Sequence, residues 1–236
     1  MISFEIEEKR YTSPNWGEVT LARYLGFINE IQSQRPKFLE YFLEFQEGEK
    51  VDVGKRWDLL MREQKIKALE YFSTEIAYWC SAPKELLVQQ LSPEEAITGW
   101  VSLQIDLDPY RFEVDEDFSS FVFKGIEYIL PDKHLRGCTL GEYADAANFQ
   151  TSASELENGN WKCIADVIAV ICRPKGEKYN FEANHSVRSR LFHGLTMDIV
   201  INVAFFLLRQ NVIFMDNIVI CSLLQEQERL RRKLSL

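Results

Sequence analysis

The stretch from Trp161 to Cys172 is apolar almost without interruption, and only Lys162 and Asp166 carry charge. A helix with no polar face cannot lie on a protein surface, so the rest of the chain has to build walls around it. Arg173-Pro174-Lys175-Gly176 stops the run abruptly, the pattern of a buried helix ended by breakers. A bilayer span needs about 20 mostly apolar residues, which this run does not supply. The longer candidate, Leu195 to Leu224, is interrupted by Asp198, Arg209 and Asp216. It is expected to form core helices, with no contact to membrane.

Breakers are scarce throughout. The 236 residues hold 11 Gly and 7 Pro against 16 Phe, 9 Tyr and 5 Trp, which favours long helices over a many-turned sandwich. The expected fold is mainly α with minor β. It comprises a helical bundle in the N-terminal half and a helix-rich C-terminal half with a small β-hairpin.

Local signals place the elements. Ile2, Phe4 and Ile6 alternate with polar residues and read as a half-buried strand. Thr20 is positioned to cap a helix over Leu21 to Gln34, and Pro36 ends it and opens another carrying Phe38, Leu39, Phe42 and Phe45. One long helix is expected from Trp57 to Trp79, stopped by Pro83, followed by a short helix over Lys84–Leu91. Ser92-Pro93-Glu94-Glu95 is a capping box with Pro at the first helical position. Two β-prone runs meet at Lys124-Gly125 and predict a hairpin ended by Pro131. Thr139-Leu140-Gly141-Glu142 is a second capping box, opening a helix through Phe149. Further helices are expected after Ser186 and from Thr196 to about Gln210. Thr139-Leu140-x-x-Tyr143 echoes Thr20-Leu21-x-x-Tyr24, which convergent capping explains; no fixed-period repeat is present.

Charge divides the chain. Residues 1–118 hold 13 Lys/Arg against 23 Asp/Glu, and residues 119–236 hold 14 against 13. With the acidic, Asp-Pro-containing stretch 106–117 as a linker, the expected domains are 1–105, an acidic helical bundle with a short N-terminal strand, and 118–236, a hairpin plus helices. An acidic half repels phosphates and disfavours nucleic acid. The five cysteines show no C-x-x-C spacing and are expected as reduced, buried thiols. Met1 to Arg10 lacks the features of a signal peptide.

Chemistry-bearing motifs are weak. His134 and Cys138 lie four apart, but Pro131 and Gly137 argue against a helix there, and the other His and Cys residues lack zinc-site spacing. Ser186, His185 and Asp198 have the residue types of a triad without a G-x-S-x-G or any sign of an oxyanion hole. Neither a P-loop nor H-E-x-x-H occurs. No catalytic residue, metal ligand or cofactor is therefore assigned, and the expectation is a protein that is not an enzyme. Two stretches suit partner contacts instead. One is the basic cluster Arg173, Lys175, Lys178, Arg188 and Arg190, which could hold phosphate or an acidic protein surface, the latter being favoured. The other is the C-terminal end, highly charged over Gln225–Lys233, where Leu230 and the flanking Leu223, Leu224 and Leu234 could dock a partner.

Three segments carry a family resemblance. Asn15-Trp16-Gly17-Glu18-Val19-Thr20-Leu21-x-x-Tyr24 resembles small proteins encoded among the structural genes of tailed bacteriophages. Phe123-Lys-Gly-Ile-Glu-Tyr128 leads into Leu140-Gly-Glu-Tyr-Ala-Asp145, which is similar to a T-x-G-E-Y-x-D element. Ala169-Val-Ile-Cys-Arg173-Pro174 is similar to an A-I-L-Y-R-P element, with Cys172 where an aromatic is expected. The resemblance covers residues 15–30 and 120–210. It implies a tail assembly chaperone or minor virion protein acting in the host cell cytoplasm on phage tail or other virion proteins. Two alternatives are a permanent tail or connector ring subunit of the virion and a nucleic-acid-binding regulator. Self-association into a homo-oligomer remains open.

Overall fold

A computed structural model describes residues 1–40, 53–132, 139, 161, 163–178, 180–207 and 209. The expected Thr139–Phe149 helix, the His134/Cys138 pair, Phe42, Phe45 and the leucines from 223 to 234 lie outside the described residues, apart from Thr139 itself. The protein is mainly α with a small antiparallel β component. It forms two compact units, Met1–Phe112 and Glu113–Leu236.

The N-terminal unit opens with a hairpin, β1 (Ser3–Ile6) and β2 (Lys9–Thr12). Phe4 pairs with Tyr11 across it, their rings stacked at 5.6 Å. Ser13 closes the open end, accepting from Ile2 N–H through Oγ and donating its own N–H to Ile2 O, both at 3.0 Å. The sequence predicts only the first strand. The turn that joins the two has Glu7 and Glu8 at φ 51° and 64°, a left-handed pair for which Asn-Gly is the usual signal.

Thr20 Oγ1 accepts from Arg23 N–H at 3.2 Å and opens α1 (Leu21–Glu30), which buries Leu21, Tyr24 and Phe27. The expected Leu21–Gln34 helix tightens after Ile31 into a 3-10 turn, Gln32–Gln34, with another at Lys37–Leu39 behind Pro36. The long Trp57–Trp79 helix is two helices: α2 (Val53–Asp58) and α3 (Arg62–Cys80). Met61 between them is extended, and its N–H is taken up by Gln64 Oε1 at 2.9 Å. A side-chain acceptor three residues ahead is half of a capping box, so Gln64 starts a new helix inside an otherwise helical pattern.

The short helix α4 (Lys84–Gln90) follows. In α5 (Pro93–Asp106) both bonds of the predicted capping box are made, Glu95 N–H to Ser92 Oγ at 3.2 Å and Ser92 N–H to Glu95 Oε2 at 2.8 Å. Helices α3 and α5 pack together on aromatic rings, Phe72 stacking on Trp100 at 4.4 Å. Phe27 of α1 meets Trp79 of α3 at 4.7 Å.

Arg23 fixes α1 to the end of α3. It donates to Tyr78 O at 2.8 Å and Trp79 O at 2.7 Å, carbonyls that α3 leaves unpaired at its C-terminus. Tyr78 Oη returns a bond to Arg23 O at 2.5 Å. The contact is close enough that a Cβ at Gly26 would stand 2.9 Å from that hydroxyl.

The C-terminal unit is built on a three-stranded sheet, β3 (Ser120–Phe123), β4 (Ile126–Ile129) and the two-residue β5 (Arg173–Pro174), in that order and antiparallel. Lys124 and Gly125 make the β3–β4 turn at φ 50° and 78°, as their sequence predicts. Helix α6 (Ile164–Ile171) is the apolar run; every residue is buried except Asp166. It packs on α7 (Phe181–Phe192), which is already helical ahead of Ser186, the residue after which the sequence predicts a helix. Phe192, fully buried, presents its ring edge to Phe121 at 6.2 Å and Tyr128 at 5.1 Å. A further helix, α8, occupies residues 197–207, with Val200, Ile201, Val203, Ala204 and Leu207 buried. Its Asn202 reaches back to Asp198 O and accepts from Asp115 N–H at 2.8 Å.

Candidate functional site

Helix α5 is apolar on two faces. Ala96, Trp100 and Leu103 enter the core of the N-terminal unit. A second stripe at helical spacing, Ile97, Val101 and Ile105, turns away from it; Ile97 and Val101 are half-buried and Ile105 is 41% exposed. A helix on a protein surface normally keeps that side polar. Beside the stripe lies a cavity of about 500 Å³ between α2 and α5, walled by Val53, Trp57, Ile97 and Val101. On the other side of the same helix a cavity of about 420 Å³ is walled by Ile2 and Phe4 of β1 and by Ile76 and Leu91. Glu94, Thr98 and Ser102 border both. Among the described residues, the charged groups in these linings are two carboxylates, Glu94 and Glu95. Elsewhere in this unit Leu59 and Met61, in the α2–α3 turn, are 75% and 68% exposed, and Ile66 on α3 is exposed as well. Apolar side chains clustered in the open mark a contact surface more often than isolated ones do.

Under α5 sits a buried polar centre. Glu75 of α3 is 1% exposed and accepts from Trp100 Nε1 at 2.8 Å and Gln104 Nε2 at 2.6 Å. Arg35, from the turn after α1, lies 3.7 Å from its carboxylate and donates to Tyr71 Oη at 3.2 Å and Gln104 Oε1 at 2.8 Å. The guanidinium also stands 5.8 Å over both the Tyr71 and Trp100 rings. Burial, reinforced by the Glu75 charge, pushes the Tyr71 phenol well above its usual range, so it stays a proton donor. With each donor facing an acceptor, the centre locks α3, α5 and the Arg35 turn together.

The predicted basic cluster is not presented as one cationic face. Arg188 is buried on α7 and bonded to Glu177, which also accepts from Asn184 at 2.9 Å. Lys175 is exposed and 3.3 Å from Glu127 on the neighbouring strand. Arg173 is half-buried in β5 opposite Ile129, and it borders, with Lys178 and Glu177, a cavity of about 510 Å³. Arg190 is exposed near the end of α7. His185 lies 3.4 Å from Asp166 of α6, while Asp198 is in the first turn of α8. Among the described residues no group of three or more His, Cys, Asp or Glu could hold a metal ion, and no helix is long and apolar enough to cross a membrane.

Sequence reasoning missed the α5 face, although its signal was present. Ile97, Val101 and Ile105 repeat at intervals of four, one position out of phase with Ala96 and Trp100. The fold defines a mainly helical chain with a minor antiparallel β component, whose N-terminal unit carries an apolar, acid-rimmed surface. In comparisons with known proteins, no family model, no curated sequence and no solved structure matches it.

Proposed function

We propose that this chain is a non-enzymatic protein-binding factor in the assembly of bacteriophage tails or virions, acting in the host cytoplasm as a tail assembly chaperone does. The observation that carries the binding role is the second apolar face of α5, with its two flanking cavities. The phage context is supported by the likeness of residues 15–30 and 120–210 to proteins of tailed bacteriophages.

Unassembled tail subunits expose surfaces that later join one another, and such surfaces self-associate when left uncovered. A binder with apolar grooves on a net-acidic unit covers them reversibly; Met1–Phe112 holds 13 Lys/Arg against 19 Asp/Glu.

Co-expression with the products of neighbouring genes, followed by pull-down, tests the reading. The expected result is stoichiometric co-purification with a virion protein that is insoluble alone. No co-purification with any of them would refute it. Mass spectrometry of purified particles separates the chaperone from a permanent tail or connector subunit, since only the latter stays in the particle.

A further inference from the structure

We infer that the α5 surface takes an amphipathic helix from its partner whose apolar stripe is flanked by Lys or Arg. The inference rests on the protein-binding reading above and specifies the chemistry of the same site. From Ile97 to Ile105 the stripe runs about 12 Å along α5, roughly two helical turns. An incoming helix presents anchors at the same spacing, so two or three of its apolar side chains reach the cavities on either side. Val101 and Trp57, both half-buried at the cavity wall, are then covered.

Charge selects among such helices. Glu94 borders both cavities, stands exposed, and sits beside Glu95 in the first turn of α5. Glu95 is already bonded to Ser92, which leaves Glu94 as the carboxylate that meets a cation at the rim. Acidic flanks on the partner would be repelled by both. Rim charges act chiefly on encounter and selectivity, while the apolar anchors hold the complex.

The test uses the full chain and two fluorescent probe peptides of about 16 residues, roughly four helical turns. Both carry leucines at helical spacing; one is flanked by Lys, the other by Glu. The Lys-flanked probe is expected to bind at least about tenfold more tightly, with the gap closing in about 0.5 M salt as the charges are screened. Glu94→Gln should narrow the gap by about threefold, in line with a rim charge. Val101→Asp should weaken both probes by about tenfold or more. Because that variant places a charge near the core, its helix content is checked, and Ile97→Ser serves as a milder second probe of the groove.

Equal binding of the two probes overturns the charge selection. Binding of neither overturns the site. Self-association of the chain that Val101→Asp abolishes would make a second copy the occupant, and that too overturns the inference. A virion protein retained in pull-down alongside any of these three results leaves the broader function standing while this inference fails. Selective probe binding with no virion partner gives the reverse.

Discussion

Replacing Glu75 with Ala should destabilise the N-terminal unit by about 3 kcal/mol. Breaking one side of a buried ion pair typically costs about 3–5 kcal/mol, because the remaining charge loses its counterpart. Here Arg35 keeps two partners, Tyr71 Oη and Gln104 Oε1, which places the loss at the lower end. Trp100 Nε1, however, is left with no acceptor in the core. Glu75→Gln keeps an oxygen for the indole and Arg35 but turns an amide toward the Gln104 donor and gives up the charge, and it should cost about 1–2 kcal/mol. Removing both charges with Arg35→Met and Glu75→Met should recover part of the Ala loss. Four of the five tryptophans, Trp16, Trp57, Trp79 and Trp100, belong to Met1–Phe112. Tryptophan fluorescence in urea therefore reports chiefly on this unit. At a slope of about 1.5 kcal/mol per molar urea, the Ala variant should unfold about 2 M earlier. A midpoint shift below about 0.3 M would refute the argument that this carboxylate holds the helices together.

Arg23→Ala removes the clamp on the last turn of α3 and should cost about 1.5–3 kcal/mol in the same assay; Arg23→Lys should recover only part, since an ammonium lacks the planar fork. Glu8→Gly relieves a left-handed φ of 64° and should leave stability unchanged or raise it by up to about 1 kcal/mol, readable as a higher midpoint. The bonds from Ser92 hold the Glu95 carboxyl below its usual range. A depressed carboxyl contributes stability that is present above its unfolded value of 4.5 and is lost as pH falls through the folded value. The stability difference between the native chain and Glu95→Gln should accordingly be constant from pH 8 to about 6 and shrink in acid; a difference that grows below pH 4 would reverse that sign.

The sequence is most legible where one residue type settles a local question. Thr20, the Ser92-x-x-Glu95 box and Lys124-Gly125 each satisfy backbone groups by a specific bond or a permitted φ, and each sits where its pattern places it. The first hairpin was illegible because its turn uses Glu7-Glu8, which carry no turn signature. The break at Leu59-Leu60-Met61 was illegible because apolar spacing continues through it; only the Met61–Gln64 bond marks the new start. The fate of the basic cluster depended on partners distant in sequence, Glu127 for Lys175 and Glu177 for Arg188. The α5 surface needed α2 and β1 beside it before its second stripe read as a groove.

Helix α6 imposes an order on synthesis. Five of its eight residues are β-branched and it spans barely two turns, so in water it has little tendency to be helical by itself. Until α7 emerges to cover it, Ile164–Ile171 is a bare β-prone segment of the kind that seeds aggregates. Truncations ending before Phe192 should therefore collect in inclusion bodies, and any expression fragment of this region has to carry α7 with it.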